Sequence, residues 1–299
     1  MAKVKNMFKQ AGGLLRARHL SLTPKSAISK NDGPKIRSIS TFERYKQALG
    51  QAGRWAHENH GITRLNQLTP EIARAYLAQR VEEGIGQKQL DNDRVSLQFV
   101  VGKLERIKTT VQTPLESRAY TFRQADLIAK RQSPHNALAT WITYNAGLRA
   151  HELLTIRRAS EAAPTKALQW REDLFKGRDG ASYVVVGKGG LTRQVRLDHR
   201  LAAQLEARRL PAPEVVTDRQ VKYERLYDIG GGQPWSKSFS IASTRELGWS
   251  TGGHGLRHAY AQARYDYLTA HGYTLKDAKQ LVSQELGHFR ESIVTIYLR

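Results

Sequence analysis

Along most of its length this sequence repeats its apolar residues at helical spacing, and only at 182–197 does the period drop to two. A chain written this way folds as a mainly α protein with a β-hairpin set into its second half. From Thr41 the series Phe42, Tyr45, Leu49, Ala52 and Ala56 shares one helical face, and Gly61 is placed to stop it. Thr69-Pro70-Glu71 then supplies an N-cap, a proline at the first helical position and an acid near the positive dipole end, with Gly84 beyond the far end. A third series, Leu90, Leu97, Val101, Leu104 and Ile107, extends a helix to about residue 107. Residues 39–108 therefore read as a small helical bundle, and 109–120, TTVQTPLESRAY, as the linker after it.

The second half is punctuated in the same way. Thr121-x-x-Gln124 matches a capping box. An apolar segment from Ala137 to Tyr144 ends at Gly147, and Leu153, Leu154 and Ile156 predict a helix that follows at once. Tyr183 to Val186 and the Val195/Leu197 segment flank Gly189-Gly190, a strand, turn and strand. Asp198 can cap a helix running through Leu205, and Gly230 to Gly232 marks a loop. From His254 the chain reads as helices separated at His271-Gly272 and Gly287-His288, with Thr274-x-x-Asp277 opening one. Gly230 to Trp249 carries no readable motif.

Charge narrows the partners. Among 299 residues, 48 Lys and Arg face 27 Asp and Glu, a net charge of +21, well beyond the magnitude of about 2–8 that solubility needs. Nine of the basic residues lie in 1–37 against a single acid, Asp32. That segment, with Gly12-Gly13 and Pro34, reads as a flexible basic arm over 1–38 holding at most a short helix around Leu14 to Leu20. Lys3, Lys5, Lys9, Arg16, Arg18, Lys35 and Arg37 are its candidate contacts to a polyanion, for which nucleic acid is the natural choice. The arm lacks the amphipathic aromatic face of a membrane anchor, no apolar run reaches the ~18–20 residues of a span, and no signal peptide opens the chain. A soluble, cytoplasmic, nucleoid-associated protein is expected. With no cysteine, a disulfide framework, a thiolate zinc site, an iron–sulfur cluster and a cysteine nucleophile are all excluded.

Four segments bear on phosphate chemistry. Gly147-Leu148-Arg149-Ala150-His151-Glu152 places an arginine after a helix-ending glycine, with Glu152 three residues on and able to reach it. Gly187-Lys188-Gly189-Gly190 puts a lysine at the hairpin tip, where an ammonium group can donate a proton as arginine cannot. A phosphate loop of the G-x-x-x-x-G-K-[ST] kind is absent. His254-Gly255-Leu256-Arg257-His258 sets a His and an Arg three apart on one helical face. His254 and His258 also have the spacing of a zinc pair, but the glutamate of H-E-x-x-H is missing and no third ligand offers itself, so no metal is expected. Leu286-Gly287-His288 is followed nine residues later by Tyr297. Each alone has an ordinary reading: a surface ion pair, a charged turn, a packed aromatic.

In this order the motifs closely resemble the signature of the tyrosine recombinase family, the phage-type integrases, over roughly 113–299. The resemblance implies a small helical core-binding domain at 39–112 and a mostly helical, α+β catalytic domain at 113–299 that together clamp double-stranded DNA. It makes Tyr297 the nucleophile, Arg149 and Arg257 the phosphate-binding arginines, and Lys188 the hairpin lysine. His254 becomes the acid/base for the tyrosine proton and His288 the second histidine, with Glu152 behind them orienting Arg149 or His254. The implied reaction cuts and rejoins DNA through a 3′-phosphotyrosyl intermediate with no cofactor, in a homotetramer on two DNA sites, with an accessory DNA-bending or directionality factor, to integrate or excise a phage or mobile element. Family members usually continue past the nucleophile with a segment that packs on a neighbouring protomer, whereas this sequence stops at Arg299, which puts the inter-subunit contacts in question. Relaxation of DNA in the manner of a type IB topoisomerase, or DNA binding without turnover, would use a similar chain.

Overall fold

The computed structural model describes residues 6–17, 36, 38–112, 116–166 and 169–299, with the main chain alone for Lys188. The chain forms two compact units that divide between residues 114 and 115. Among the described residues no helix is long and apolar enough to cross a membrane.

Among the described residues the first unit holds four α-helices, α1 (Met7–Arg16), α2 (Ile39–His60), α3 (Pro70–Glu82) and α4 (Gln87–Val101). Ser38 and Thr69 cap α2 and α3 through their hydroxyls, and Gly61 stops α2 in the left-handed conformation at φ 66°. The structure corrects the reading of residues 7–16 as flexible arm. Asn6 Oδ1 accepts from the main-chain nitrogens of Phe8 and Lys9, and Met7, Ala11 and Leu15 are buried along one face of α1. The helix can lie close to α2 because two α2 residues have no side chain: a Cβ on Gly50 would come within 2.2 Å of the Phe8 ring, and one on Gly53 would lie 3.2 Å from Met7 Cβ. Lys9 and Arg16 point to solvent from this anchored helix. Lys3, Lys5, Arg18, Lys35 and Arg37 lie outside the described residues. A second difference concerns α4, which ends at Val101 because Gly102 takes φ 81°, so Leu104 is buried from beyond the helix rather than on it.

The second unit is mainly helical. Its helices are α5 (Phe122–Lys130), α6 (Pro134–Ala146), α7 (His199–Glu206), α8 (Gly232–Leu247), α9 (His254–Ala270), α10 (Leu275–Glu285) and α11 (Glu291–Val294). The capping box at Thr121 and Gln124 forms in both directions, and Asp198 and Thr274 cap α7 and α10. Strands β2 (Ala181–Val186) and β3 (Thr192–Leu197) make the expected antiparallel hairpin, with β1 (Arg157–Arg158) on its outer edge. Tyr183, Val185, Val195 and Leu197 turn into a core shared with Ile128, Ile142, Phe239 and Trp235.

Two expectations fail here. Leu153 to Ile156 do not begin a helix: Glu152–Thr155 is a single 3-10 turn that leads into β1. There is also a second hairpin, β4 (Arg209–Asp218) with β5 (Val221–Tyr227), whose sequence carries Pro211 and Pro213 and so hides its strand character. The stretch without a motif is largely α8.

Candidate active site

The site begins at the end of α6. Gly147 adopts φ 62°, and a Cβ there would lie 2.7 Å from the Tyr260 ring and 2.8 Å from Leu286. This turn presents the Gly147 carbonyl to two guanidinium groups, accepting from Arg257 Nη1 at 2.6 Å and from Arg193 Nη2 at 3.4 Å. Arg149 follows two residues later, not at the start of an α-helix as its sequence setting suggests. It is held by a carboxylate instead. Glu152, fully buried, accepts from the Arg149 main-chain nitrogen at 2.9 Å and from Arg149 Nη1 at 2.6 Å. Burial alone would raise the Glu152 pKa, but Arg193, Arg257 and Arg149 outweigh it and hold the carboxyl below the ordinary range.

Arg257 sits in the first turn of α9 and is fully buried. Its Nη2 donates to the Leu286 carbonyl at 2.5 Å and its Nε to the Tyr297 hydroxyl at 3.3 Å. Burial first, then the neighbouring charge of Arg149, pushes its pKa down to about 10, so it stays cationic at neutral pH. Tyr297 is itself only 6% exposed, beneath that guanidinium. Its main-chain oxygen accepts from Gln262 Nε2 on α9 at 3.0 Å, which ties the residue to the same helix as Arg257.

Three histidines surround the phenol. His288 Nε2 lies 3.0 Å from Arg149 Nη2 and 3.5 Å from the Tyr297 hydroxyl. Burial, then Arg257 and Arg149, lowers its pKa to about 4, so the imidazole is neutral and its Nε2 lone pair accepts from Arg149. His254 is an exposed residue whose ring lies 5.6 Å from that of Tyr297. Partial desolvation, then the charges of Arg257, His258, Arg118 and Arg149, lower its pKa to about 3. His258, buried with its ring 4.8 Å from Tyr297, is lowered to about 4 by burial first and then by Arg118. The two α9 histidines face each other at 5.4 Å, but among the described residues no group of three His, Asp or Glu could hold a metal ion.

The structure thus brings Arg149, Glu152, His254, Arg257, His288 and Tyr297 together. Of Lys188 only the main chain is described, in the 3-10 turn Lys188–Gly190 between β2 and β3. That turn is anchored near the cluster, because a Cβ on the adjacent Gly187 would lie 3.1 Å from Glu152 Oε1 and 3.6 Å from Arg149 Nη1. Two residues were missed. His258 shares the motif that identified His254. Arg193 left a weaker signal, a charged residue on the inward face of β3 in register with the buried Val195 and Leu197.

No protein-family model matches the sequence, and none of the curated proteins does. Solved structures do resemble this one. The XerH site-specific recombinase bound to palindromic difH substrate, in a post-cleavage complex, superposes with a TM-score of 0.55 at 13% identity, over 100% of this chain and 94% of that one. A lambda integrase dimer bound to a COC′ core site gives 0.53 at 15% identity over 90% of each chain. The Tn1549 transposon integrase in complex with a circular intermediate DNA gives 0.50 at 12% identity, over 98% and 95%. At these identities the likeness is one of fold, and the fold of this chain is that of the tyrosine recombinases and integrases.

Proposed function

We propose that this chain is a site-specific DNA recombinase that cuts and rejoins DNA through Tyr297. The observation that carries the reading is the gathering round one phenol of two guanidiniums and two neutral imidazoles, drawn from three separate segments. The phenol oxygen attacks the scissile phosphorus, the phosphorus–5′-oxygen bond breaks, and a 3′-phosphotyrosyl ester forms, so that the bond energy is kept and a 5′-hydroxyl can reverse the step without ATP. Arg149 and Arg257 face the non-bridging oxygens, where negative charge builds in the transition state; by analogy with oxyanion-hole donors each is worth about 3–4 kcal/mol. Arg149 already occupies the Nε2 lone pair of His288. Of the two histidines on α9, His258 is buried and His254 is exposed, so His254 is assigned to take the tyrosyl proton and pass it on, while His288 orients Arg149 and the phosphate. Both His254 and His288 are kept neutral by desolvation first and then by the surrounding cations, and a bound phosphodiester brings in negative charge that offsets those cations. Lys188 gives a proton to the departing 5′-oxygen.

Double-stranded DNA is the partner, in keeping with the net charge of +21 and with exposed Lys9 and Arg16. Exchange between two duplexes takes four strand cuts, and each protomer brings one Tyr297, so the working assembly is a homotetramer on two sites, serving a mobile element or phage. The test is covalent capture. Nicked duplexes with a randomised centre are incubated with the protein without metal or ATP, and SDS-resistant adducts are selected and sequenced. Enrichment of one site, with the phosphate joined to Tyr297, supports the reading; tight DNA binding that never yields an adduct overturns it.

A further inference from the structure

We infer that Arg193 is a positioning residue for DNA cleavage, holding Glu152, and through it Arg149, against the scissile phosphate. This rests on the function proposed above. Arg193 reaches the cluster from β3, where it pairs with Val185, five residues after Lys188. It is fully buried, and both of its terminal nitrogens donate to protein acceptors. Its guanidinium joins three segments of the site. Nη2 donates to Glu152 Oε2 at 2.8 Å and to the Gly147 carbonyl at 3.4 Å, and Nη1 donates to the Glu285 carbonyl at the end of α10. Glu285 is in turn fixed by Arg264 and by the Tyr260 hydroxyl at 2.6 Å.

The Glu152 carboxylate is therefore divided between two arginines. One oxygen accepts from Arg149 Nη1 at 2.6 Å; the other accepts from Arg193 at 2.8 Å and from the Arg149 main chain at 2.9 Å. Without Arg193 the carboxylate keeps only its two bonds to Arg149 and loses the contact that ties the pair to β3, so Glu152 and the Arg149 side chain can shift together. Gly287 packs on the same side chain, with a Cβ there coming within 2.7 Å of Arg193 Cδ, so the turn that delivers His288 is seated on Arg193 as well. Stability alone is a poor reason for such a residue. A buried ion pair gains little over packed apolar groups, and Arg193 Nε has no hydrogen-bond partner among the described residues.

The experiment compares wild type with Arg193→Met and Arg193→Lys in the full chain. Single-turnover adduct formation is measured on nicked duplexes carrying the captured site, with an ordinary phosphate or a methylphosphonate at the cleaved position. A methylphosphonate lacks the negative oxygen charge that Arg149 meets, so a defect in placing Arg149 is felt on phosphate and not on its neutral analogue. Arg193→Met is expected to bind DNA as wild type does and to cleave the phosphate roughly 100-fold more slowly, the cost of about an ångström of misplacement, with the methylphosphonate rate changed less than about threefold. Arg193→Lys, which keeps the charge but cannot span three acceptors, falls between. If Arg193→Met does not fold, the ratio of the two rates in Arg193→Lys decides the question. An unchanged ratio, whether both rates fall together or neither does, overturns the inference while leaving the recombinase reading intact. Absence of an adduct from wild type overturns the reading and the inference with it.

Discussion

Substituting Glu152→Gln tests whether the site is held together by one buried carboxylate. Both oxygens of Glu152 face donors: Oε1 meets Arg149 Nη1, and Oε2 meets the Arg149 main-chain nitrogen and Arg193 Nη2. A glutamine amide offers one acceptor and one NH2, so whichever way it flips, its NH2 group meets an N–H in a pocket without exposure. The loss combines a charge-assisted hydrogen bond, about 1.5–3 kcal/mol, with a buried unsatisfied donor at about 1–3 kcal/mol. Together they match the 3–5 kcal/mol typical of breaking a buried pair. For a unit of this size, that lowers the melting midpoint of residues 115–299 by roughly 6–20 °C. Thermal unfolding followed by tryptophan fluorescence reads it, since Trp141, Trp170, Trp235 and Trp249 all lie in that unit. The pH dependence has a definite sign. The folded Glu152 pKa is depressed, so its contribution is complete above the ordinary carboxylate range and is lost as pH falls below it. The gap between wild type and Glu152→Gln should therefore close on acidification. A shift under about 2 °C at neutral pH, or a gap that widens in acid, would refute the argument.

Gly147→Ala should destabilise the same unit by at least about 2 kcal/mol, because the left-handed conformation costs a side chain about 1–2 kcal/mol and the new Cβ meets Tyr260 and Leu286 under 3 Å; chemical denaturation measures the loss, and a neutral result contradicts the close approach. Lys188→Ala should slow cleavage about 10²–10⁴-fold, the range for a lost general acid. A 5′-bridging sulfur in the substrate, a better leaving group, should recover most of that rate, and equal slowing on both substrates would remove Lys188 from the proton-donor role.

Much of the fold is legible because the chain marks its helix ends with specific chemistry. Thr69, Thr121, Asp198 and Thr274 all cap through their side chains, and Gly61 and Gly147 stop helices by taking positive φ. The hairpin of β2 and β3 is legible because it is half-buried, with one face in the core. What escaped reading depends on partners remote in sequence. The helix α1 looks like a charged tail until Gly50 and Gly53 are seen as the groove that receives it, and β4 looks like a loop because Pro211 and Pro213 interrupt it. The site shows the same division. Arg149, His254, Arg257, His288 and Tyr297 are conspicuous as motifs, marked by their spacing from a glycine, from one another on α9 or, for Tyr297, from His288. Arg193 is not, because its importance lies in three acceptors that only the folded chain assembles.

Wild type and Tyr297→Phe, incubated side by side with the captured nicked site and no metal or ATP, decide the central claim. The account predicts equal DNA affinity for the two proteins, an SDS-resistant adduct with wild type only, and a phosphotyrosyl linkage at Tyr297 by peptide mapping. An adduct that persists in Tyr297→Phe, or one that maps to another residue, would contradict it.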